Sequence, residues 1–190
     1  MFMVTGRTYD VLFRRRREGR TNYRKRLSLL KSGDRVVARK TSHGVIAQLV
    51  SYAPEGDRVV ACATSKDIEK YGLPPSKNVA CAYLVGYALA KRALAKGVKK
   101  AVLDIGRRTP VKSSFAFAVL KGVIDGGLEM PYDEKVFNTD RFAGKHISEH
   151  AKSLKGSNPE AYKKMFSQYL KMGIDPEALP QLIEKIKAKI

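Results

Sequence analysis

Apolar and polar positions first alternate regularly after residue 34. Residues 35–40, 45–51 and 58–63 are rich in β-branched side chains and predict three strands. Thr41-Ser42-His43-Gly44 and Pro54-Glu55-Gly56-Asp57 separate them with turn chemistry, so the simplest arrangement is an antiparallel meander. In the middle run Val45, Ala47 and Leu49 share one parity and Ile46, Gln48 and Val50 the other. Neither face is fully polar, which predicts helices or a partner on both sides. Residues 65–71 predict a helical turn, ended by Gly72-Leu73-Pro74-Pro75. Asn78 then caps the longest helix, up to Lys96-Gly97. Its Ala82, Val85, Gly86, Leu89 and Ala93 form a narrow stripe of small side chains, suited to lying close on a sheet. A buried strand at 101–105 follows, and the order strand, helix, strand predicts a right-handed crossover. Ser113 or Ser114 opens a second helix containing Phe115, Phe117, Ala118, Leu120, Lys121 and Ile124, which Gly126-Gly127 closes.

Beyond residue 130 the pattern loosens. Residues 138–153 predict a surface helix offering Phe142, Ile147 and His150 for contacts, and 156–159 a linker. Two short helices follow at 159–172 and 176–189. Each begins after a capping residue, Asn158 or Asp175, with Pro in its first turn. Their apolar residues, Tyr162, Phe166, Tyr169 and Leu170, then Leu179, Leu182, Ile183 and Ile186, predict a helical hairpin or a partner-docking tail. The expected class is α/β: a mixed sheet, made of the meander plus a crossover strand, packed with helices. It divides into a basic arm and short helix (1–33), an α/β core (34–128), a linker and surface helix (129–153) and a helical C-terminal extension (154–190).

Charge changes this picture most before the first strand. Residues 14–26 read RRRREGRTNYRKR. Arg14, Arg15, Arg16, Arg17, Arg20, Arg24, Lys25 and Arg26 face the single carboxylate Glu18. Such a run repels itself when free, and a polyanion removes the repulsion: guanidinium forks match phosphate oxygens, and neutralised phosphates release counterions. Thr21, Asn22 and Tyr23 interrupt the cations with hydrogen-bonding and stacking groups that suit sugars and bases. From Thr21, a candidate N-cap, a short helix runs through Leu27, Leu29 and Leu30 to Lys31, where Ser32-Gly33 stops it. Residues 7–13 are expected to run extended. Over all 190 residues, 37 Lys and Arg against 18 Asp and Glu give a net charge of +19, which calls for an anionic partner. No apolar run is long enough to span a bilayer and the first residues lack the pattern of a secretory leader, so nucleic acid is favoured over membrane and a cytoplasmic location is expected. Cys62, in a strand, and Cys81, in a helix, read as reduced, buried thiols.

Further candidate contacts are Arg39, Lys40, Ser42 and His43 at one end of the sheet, and Gln48 within it. The loop Gly106-Arg107-Arg108-Thr109-Pro110 leaves Arg107 and Arg108 free to meet phosphate. His43 has no nucleophile or metal-ligand partner nearby in sequence and reads as an RNA contact. His146 and His150 stand four apart, but no third ligand is placed, so no metal or cofactor is predicted. Asp104 ends a buried strand where α/β folds often place functional carboxylates. The strands offer only this one, and the loop after it has neither a dinucleotide nor a phosphate-loop fingerprint. Asp104 therefore reads as a group that orients the cationic loop, with no catalytic residue predicted. The alternatives are a metal-dependent nuclease using Asp104 and a general nucleic-acid packaging protein.

Several ordered motifs add a resemblance. RRRREGRTNY at 14–23 followed by RKRLSLLKSG at 24–33, VARKTSHGVIAQ at 37–48, AYLVGY at 82–87, AVLDIG at 101–106 and VLKGVIDGGL at 119–128 are similar to the archaeal form of large-ribosomal-subunit protein eighteen, whose eukaryotic relative is large-subunit protein five. The likeness covers about residues 11–151 and does not reach beyond Ser153; the loop 107–112 is more basic than the family pattern. The resemblance implies a structural protein of the central protuberance of the large subunit. It would clamp 5S rRNA, join it to 23S rRNA beside neighbouring large-subunit proteins, and face RNA with the basic arm and the sheet-end cluster.

Overall fold

The computed structural model describes residues 10–190. Strands β1 (Arg35–Lys40), β2 (Val45–Ser51) and β3 (Arg58–Thr64) form the expected antiparallel meander, and β4 (Val102–Asp104) joins β1 in parallel, giving the order β3-β2-β1-β4. Because β4 also runs in the sense of β3, the helix between them carries the chain from one edge of the sheet to the other. The sheet is mixed and the fold is α/β.

That helix is α4 (Val79–Leu94), which follows the short α3 (Ser65–Glu69). The Asn78 Oδ1 accepts the Cys81 N–H at 2.7 Å, so the expected cap is formed. Helix α5 (Phe115–Asp125) starts after Ser114 and ends at Gly126-Gly127. Together α4 and α5 cover one face of the sheet, where Val36, Ala38, Ala47, Leu49, Ala61 and Ala63 are buried. The opposite face, with Val37, Ile46, Gln48, Cys62 and Thr64, is only half-buried, so helices cover one side and not both. Cys62 is therefore half-buried, while Cys81 is buried and burial pushes its thiol pKa up.

The small-residue stripe works differently from its sequence expectation. A Cβ at Gly86 would lie 2.3 Å from the Val119 carbonyl oxygen, and one at Gly122 would lie 2.0 Å from that of Tyr83. The close approach is thus between α4 and α5, helix to helix. Tyr83 also donates to Asp125 at 2.7 Å across this seam, and burial together with that carboxylate pushes its phenol pKa up.

After α5 come a 3-10 turn at Glu134–Val136, α6 (Thr139–Phe142) and α7 (Lys145–Ser157). The single surface helix expected at 138–153 is split at Gly144, whose φ of +80° is left-handed and which leaves room for Leu179 and Ile183. Phe142, Ser148 and Ala151 face inward, while His146 and His150 are exposed. Partial desolvation of its ring and the nearby Arg141 hold the His146 pKa down. The expected linker at 156–159 is helical through Ser157. Asn158 then closes α7 and caps α8 (Pro159–Met165).

The helix expected over 159–172 breaks at Phe166 into α8 and α9 (Ser167–Lys171), and the last expected helix becomes a 3-10 turn at Pro176–Ala178 followed by α10 (Leu179–Lys189). Tyr162, Phe166, Tyr169, Leu179, Ile183 and Ile186 are buried in the same cluster as α4 and the sheet. Asn78 ties the two regions: while its Oδ1 caps α4, its Nδ2 donates to the Tyr169 hydroxyl at 3.0 Å.

Candidate nucleic-acid interface

The arm is built without a core. Arg14–Arg17 form the single helical turn α1, and Tyr23–Leu30 form α2; neither contains a buried residue. A run of four arginines turns helically here because Glu18 accepts from Arg14 at 2.9 Å and lies 2.9 Å from Arg20. Asn22, not Thr21, is the N-cap of α2, its Oδ1 accepting the Lys25 N–H at 3.2 Å. Thr21 instead accepts from Arg15 Nε at 2.8 Å, which folds the first turn back onto the second. Tyr23 stands beside Phe13, ring centroids 5.8 Å apart, and stays partly exposed. Of the expected extended stretch at 7–13, residues 7–9 lie outside the described part and 10–13 have no regular structure.

What joins the arm to the body is a chain of ion pairs. Arg26 Nη2 and Arg35 Nη2 each lie 2.9 Å from Asp57 Oδ2, and Arg35 Nη1 lies 3.4 Å from Asp104 Oδ2. Arg35 is 2% exposed, so this is a buried charge whose neighbours are carboxylates from two other elements. Asp104 Oδ1 also accepts the Gly106 N–H at 2.7 Å, which fixes the turn that follows β4. Gly106 adopts φ +65°, a conformation that suits glycine, and the Arg39 guanidinium lies against it, donating to the Asp104 carbonyl at 3.3 Å. Asp104 therefore orients the cationic loop, as its position in sequence suggests. Among the described residues no three metal-ligating side chains converge.

The structure redistributes the expected sheet-end cluster. Arg39 points to the face that carries Arg35 and joins the arm. Arg107 does the same: its guanidinium occupies the place a side chain at Gly19 would need. Ser42 and His43 instead line a separate cleft of about 440 Å³ with Lys66, Lys77 and Gln168. Ser65 also lines that cleft, its Oγ accepting the Val45 N–H at 2.8 Å and donating to the Val45 carbonyl at 3.2 Å. Lys40 is exposed at the end of β1, and Gln48 sits half-buried in the middle of the open sheet face. Arg108 lies over the Phe115 ring at 4.8 Å. Sequence reasoning missed Arg35, Asp57, Lys66 and Lys77. Arg35 and Asp57 carry no local signal, because only strand register shows that a residue opening β1 meets the turn before β3.

Fold and site together define a strongly basic α/β protein whose exposed cations gather where the arm meets the sheet. Residues 7–100 match the family described as ribosomal large subunit proteins 60S L5 and 50S L18. The large ribosomal subunit protein uL18 of Thermofilum pendens is 46% identical over 191 residues, covering 99% of this chain and 97% of that protein. The chain belongs to this family of large-subunit ribosomal proteins, and the likeness runs well past Ser153, where the sequence resemblance stopped. It is a structural constituent of the large ribosomal subunit and not an enzyme, which removes the nuclease alternative. Its setting is cytoplasmic, among ribosomal RNA and other subunit proteins. Among the described residues no helix is long and apolar enough to cross a membrane.

Proposed function

We propose that this chain binds 5S rRNA and attaches it to 23S rRNA in the central protuberance of the large subunit. The observation that carries the reading is the convergence of cations from three separate segments, the arm, β1 and the loop after β4, around one cleft in which Asp104 is the one lining carboxylate among the described residues. Arg14, Arg15, Arg16, Arg17, Arg20, Arg24, Lys25 and Arg26 contact backbone phosphates, with Arg39, Lys40, Arg107 and Arg108 extending the contact onto the body. Thr21, Asn22 and Tyr23 meet sugars and bases, Ser42 and His43 form a second zone, and Gln48 hydrogen-bonds in a groove. Contacts at several separated points read the shape of a folded RNA rather than a linear sequence.

Replacing Arg14, Arg15, Arg16 and Arg17 with Ala tests this. Each lost phosphate contact reduces the slope of log K against log salt by about 0.7 to 0.9. The quadruple variant is expected to bind 5S rRNA more weakly and with a flatter slope. An unchanged slope would contradict phosphate contact by the arm, and equal wild-type affinity for 5S rRNA and for duplex DNA would contradict recognition of 5S rRNA in particular.

A further inference from the structure

Between arm, sheet and loop lies a cleft of about 80 Å³, room for two or three waters or one tetrahedral oxyanion. The arm contributes Arg15, Arg20, Lys25 and Arg26 to its walls, β1 contributes Arg35 and Arg39, and the loop contributes Arg107. Asp104 is the one carboxylate lining it. Asp104 is engaged by Arg35 and Gly106, Asp57 by Arg26 and Arg35, and Glu18 by Arg14 and Arg20. Even if each of these three carboxylates cancels one lining cation, four positive charges remain around the cleft.

A second observation points the same way. Arg35 is 2% exposed and its Nε has no hydrogen-bond partner. A buried guanidinium N–H without a partner is costly, and this one belongs to a residue that lines the cleft. The arm around it has no buried residue to hold it, so the cations that line the cleft repel one another with little apolar packing to resist them.

We propose that this cleft is a cage for one phosphodiester group of the RNA backbone, and that filling it fixes the arm to the body. The proposal rests on the RNA-binding reading above and adds to it a single buried phosphate position, built from Arg35, Arg39 and Arg107 as well as the arm. Phosphate oxygens in the cleft accept from the guanidinium and ammonium groups that line it and cancel the repulsion between segments. Surface contacts of the other arginines give affinity, while this one gives register.

The test measures hydrogen exchange of the arm amides in the full-length protein without RNA, at constant ionic strength. Sodium chloride is replaced stepwise by inorganic phosphate, then in parallel by dimethyl phosphate, which carries a backbone-like diester. The amides of Arg20, Lys25 and Arg26, which are hydrogen-bonded in the arm, report the opening of the cage. At a concentration ten times its Kd, dimethyl phosphate is expected to slow their exchange about tenfold. Arg39→Gln and Arg107→Gln should abolish that protection, and Arg58→Gln, on an exposed arginine paired with Glu55 away from the cleft, should keep it. Protection by inorganic phosphate but not by the diester would overturn the proposal in favour of a free-anion site. No protection beyond chloride, or equal loss in all three variants, would overturn it as mere charge screening. Affinity of the wild type for 5S rRNA is measured alongside. If 5S rRNA binds while the cage shows no protection, only this inference fails; if it does not bind, the functional reading fails first.

Discussion

Asp104 and Arg35 hold three segments with one buried pair. The carboxylate reaches across from β4 to a guanidinium on β1, anchors the Gly106 turn with its second oxygen, and faces the same arginine that Asp57 approaches from the turn before β3. Removing the Asp104 charge leaves the buried Arg35 to Asp57, which Arg26 shares, at a cost of about 1 to 3 kcal/mol. Asp104→Asn is therefore expected to lower the urea midpoint of unfolding by an amount that corresponds to that loss, although the variant differs by few atoms. A midpoint within experimental error of wild type would show that Arg35 is satisfied by Asp57 alone. Asp67 provides a pH signature at the same scale. Burial raises its pKa, but the Thr64 N–H and the Arg92 guanidinium, each 2.9 Å away, more than offset this, so the folded value lies below the usual 3.8. A carboxylate depressed on folding contributes stability that is present above its unfolded pKa and is lost as pH falls through the folded one. Wild type should accordingly be more stable than Asp67→Asn at pH 7. The gap should close below about pH 4, as measured by urea titration at each pH. The sequence shows which residues are charged but not these pairings. Asp104 was legible as structural because no second carboxylate lies beside it on the strands, whereas its partner Arg35 reads locally as one more cation in a basic chain.

The elements themselves were more legible than their neighbours. The first two strands of the meander have the bounds that alternation and turn residues predict, because β-branched runs between Gly- and Pro-containing turns have few other options. Caps were legible to within one residue: Asn78 and Asn158 cap as read, while Asn22 takes the place assigned to Thr21, since both residues accept hydrogen bonds and only the start of α2 decides between them. The small-residue stripe was legible as a close approach but not as to what it approaches. An amphipathic pattern fixes a face without naming the element opposite. The seam between α4 and α5 makes this testable. Gly86→Ala and Gly122→Ala each place a methyl group within 2.3 Å of a backbone carbonyl on the facing helix, and the backbone has no rotamer with which to give way. Each should cost about 1 to 3 kcal/mol in urea unfolding, against the small gain alanine brings to an isolated helix. If alanine stabilises at either position, the helices are not in contact there. Because the two sites share one seam, the double variant should lose less than the sum of the singles once the first methyl has forced the helices apart.

At the scale of the whole molecule, charge and apolar burial are distributed very differently along the chain. The first described residues add no buried side chain and are held by ion pairs, so their seating on the body should weaken with salt. The last residues carry no comparable concentration of cations and close the core. Their apolar positions were visible in sequence at helical spacing, but such spacing serves a partner-docking tail and an internal helix equally well. Tyr162, Phe166, Tyr169, Leu179, Ile183 and Ile186 join the α4 cluster, and Tyr169 accepts from the residue that caps α4. Ending the chain at Asn158 would expose the side of α4 and α6 that these residues cover and leave the Asn78 amide without its partner. The truncated chain should lose cooperative unfolding and bind a hydrophobic dye, while the full chain does neither in buffer. The milder Tyr169→Phe removes only the hydroxyl and should cost about 1 kcal/mol, without loss of cooperativity. A chain ending at Asn158 that unfolds cooperatively at the wild-type midpoint would mean that the last helices rest on a body complete without them. Otherwise core and C-terminal helices form together, and the sheet that carries Arg35 and Arg39 depends for its position on residues about 130 to 150 places further along the chain.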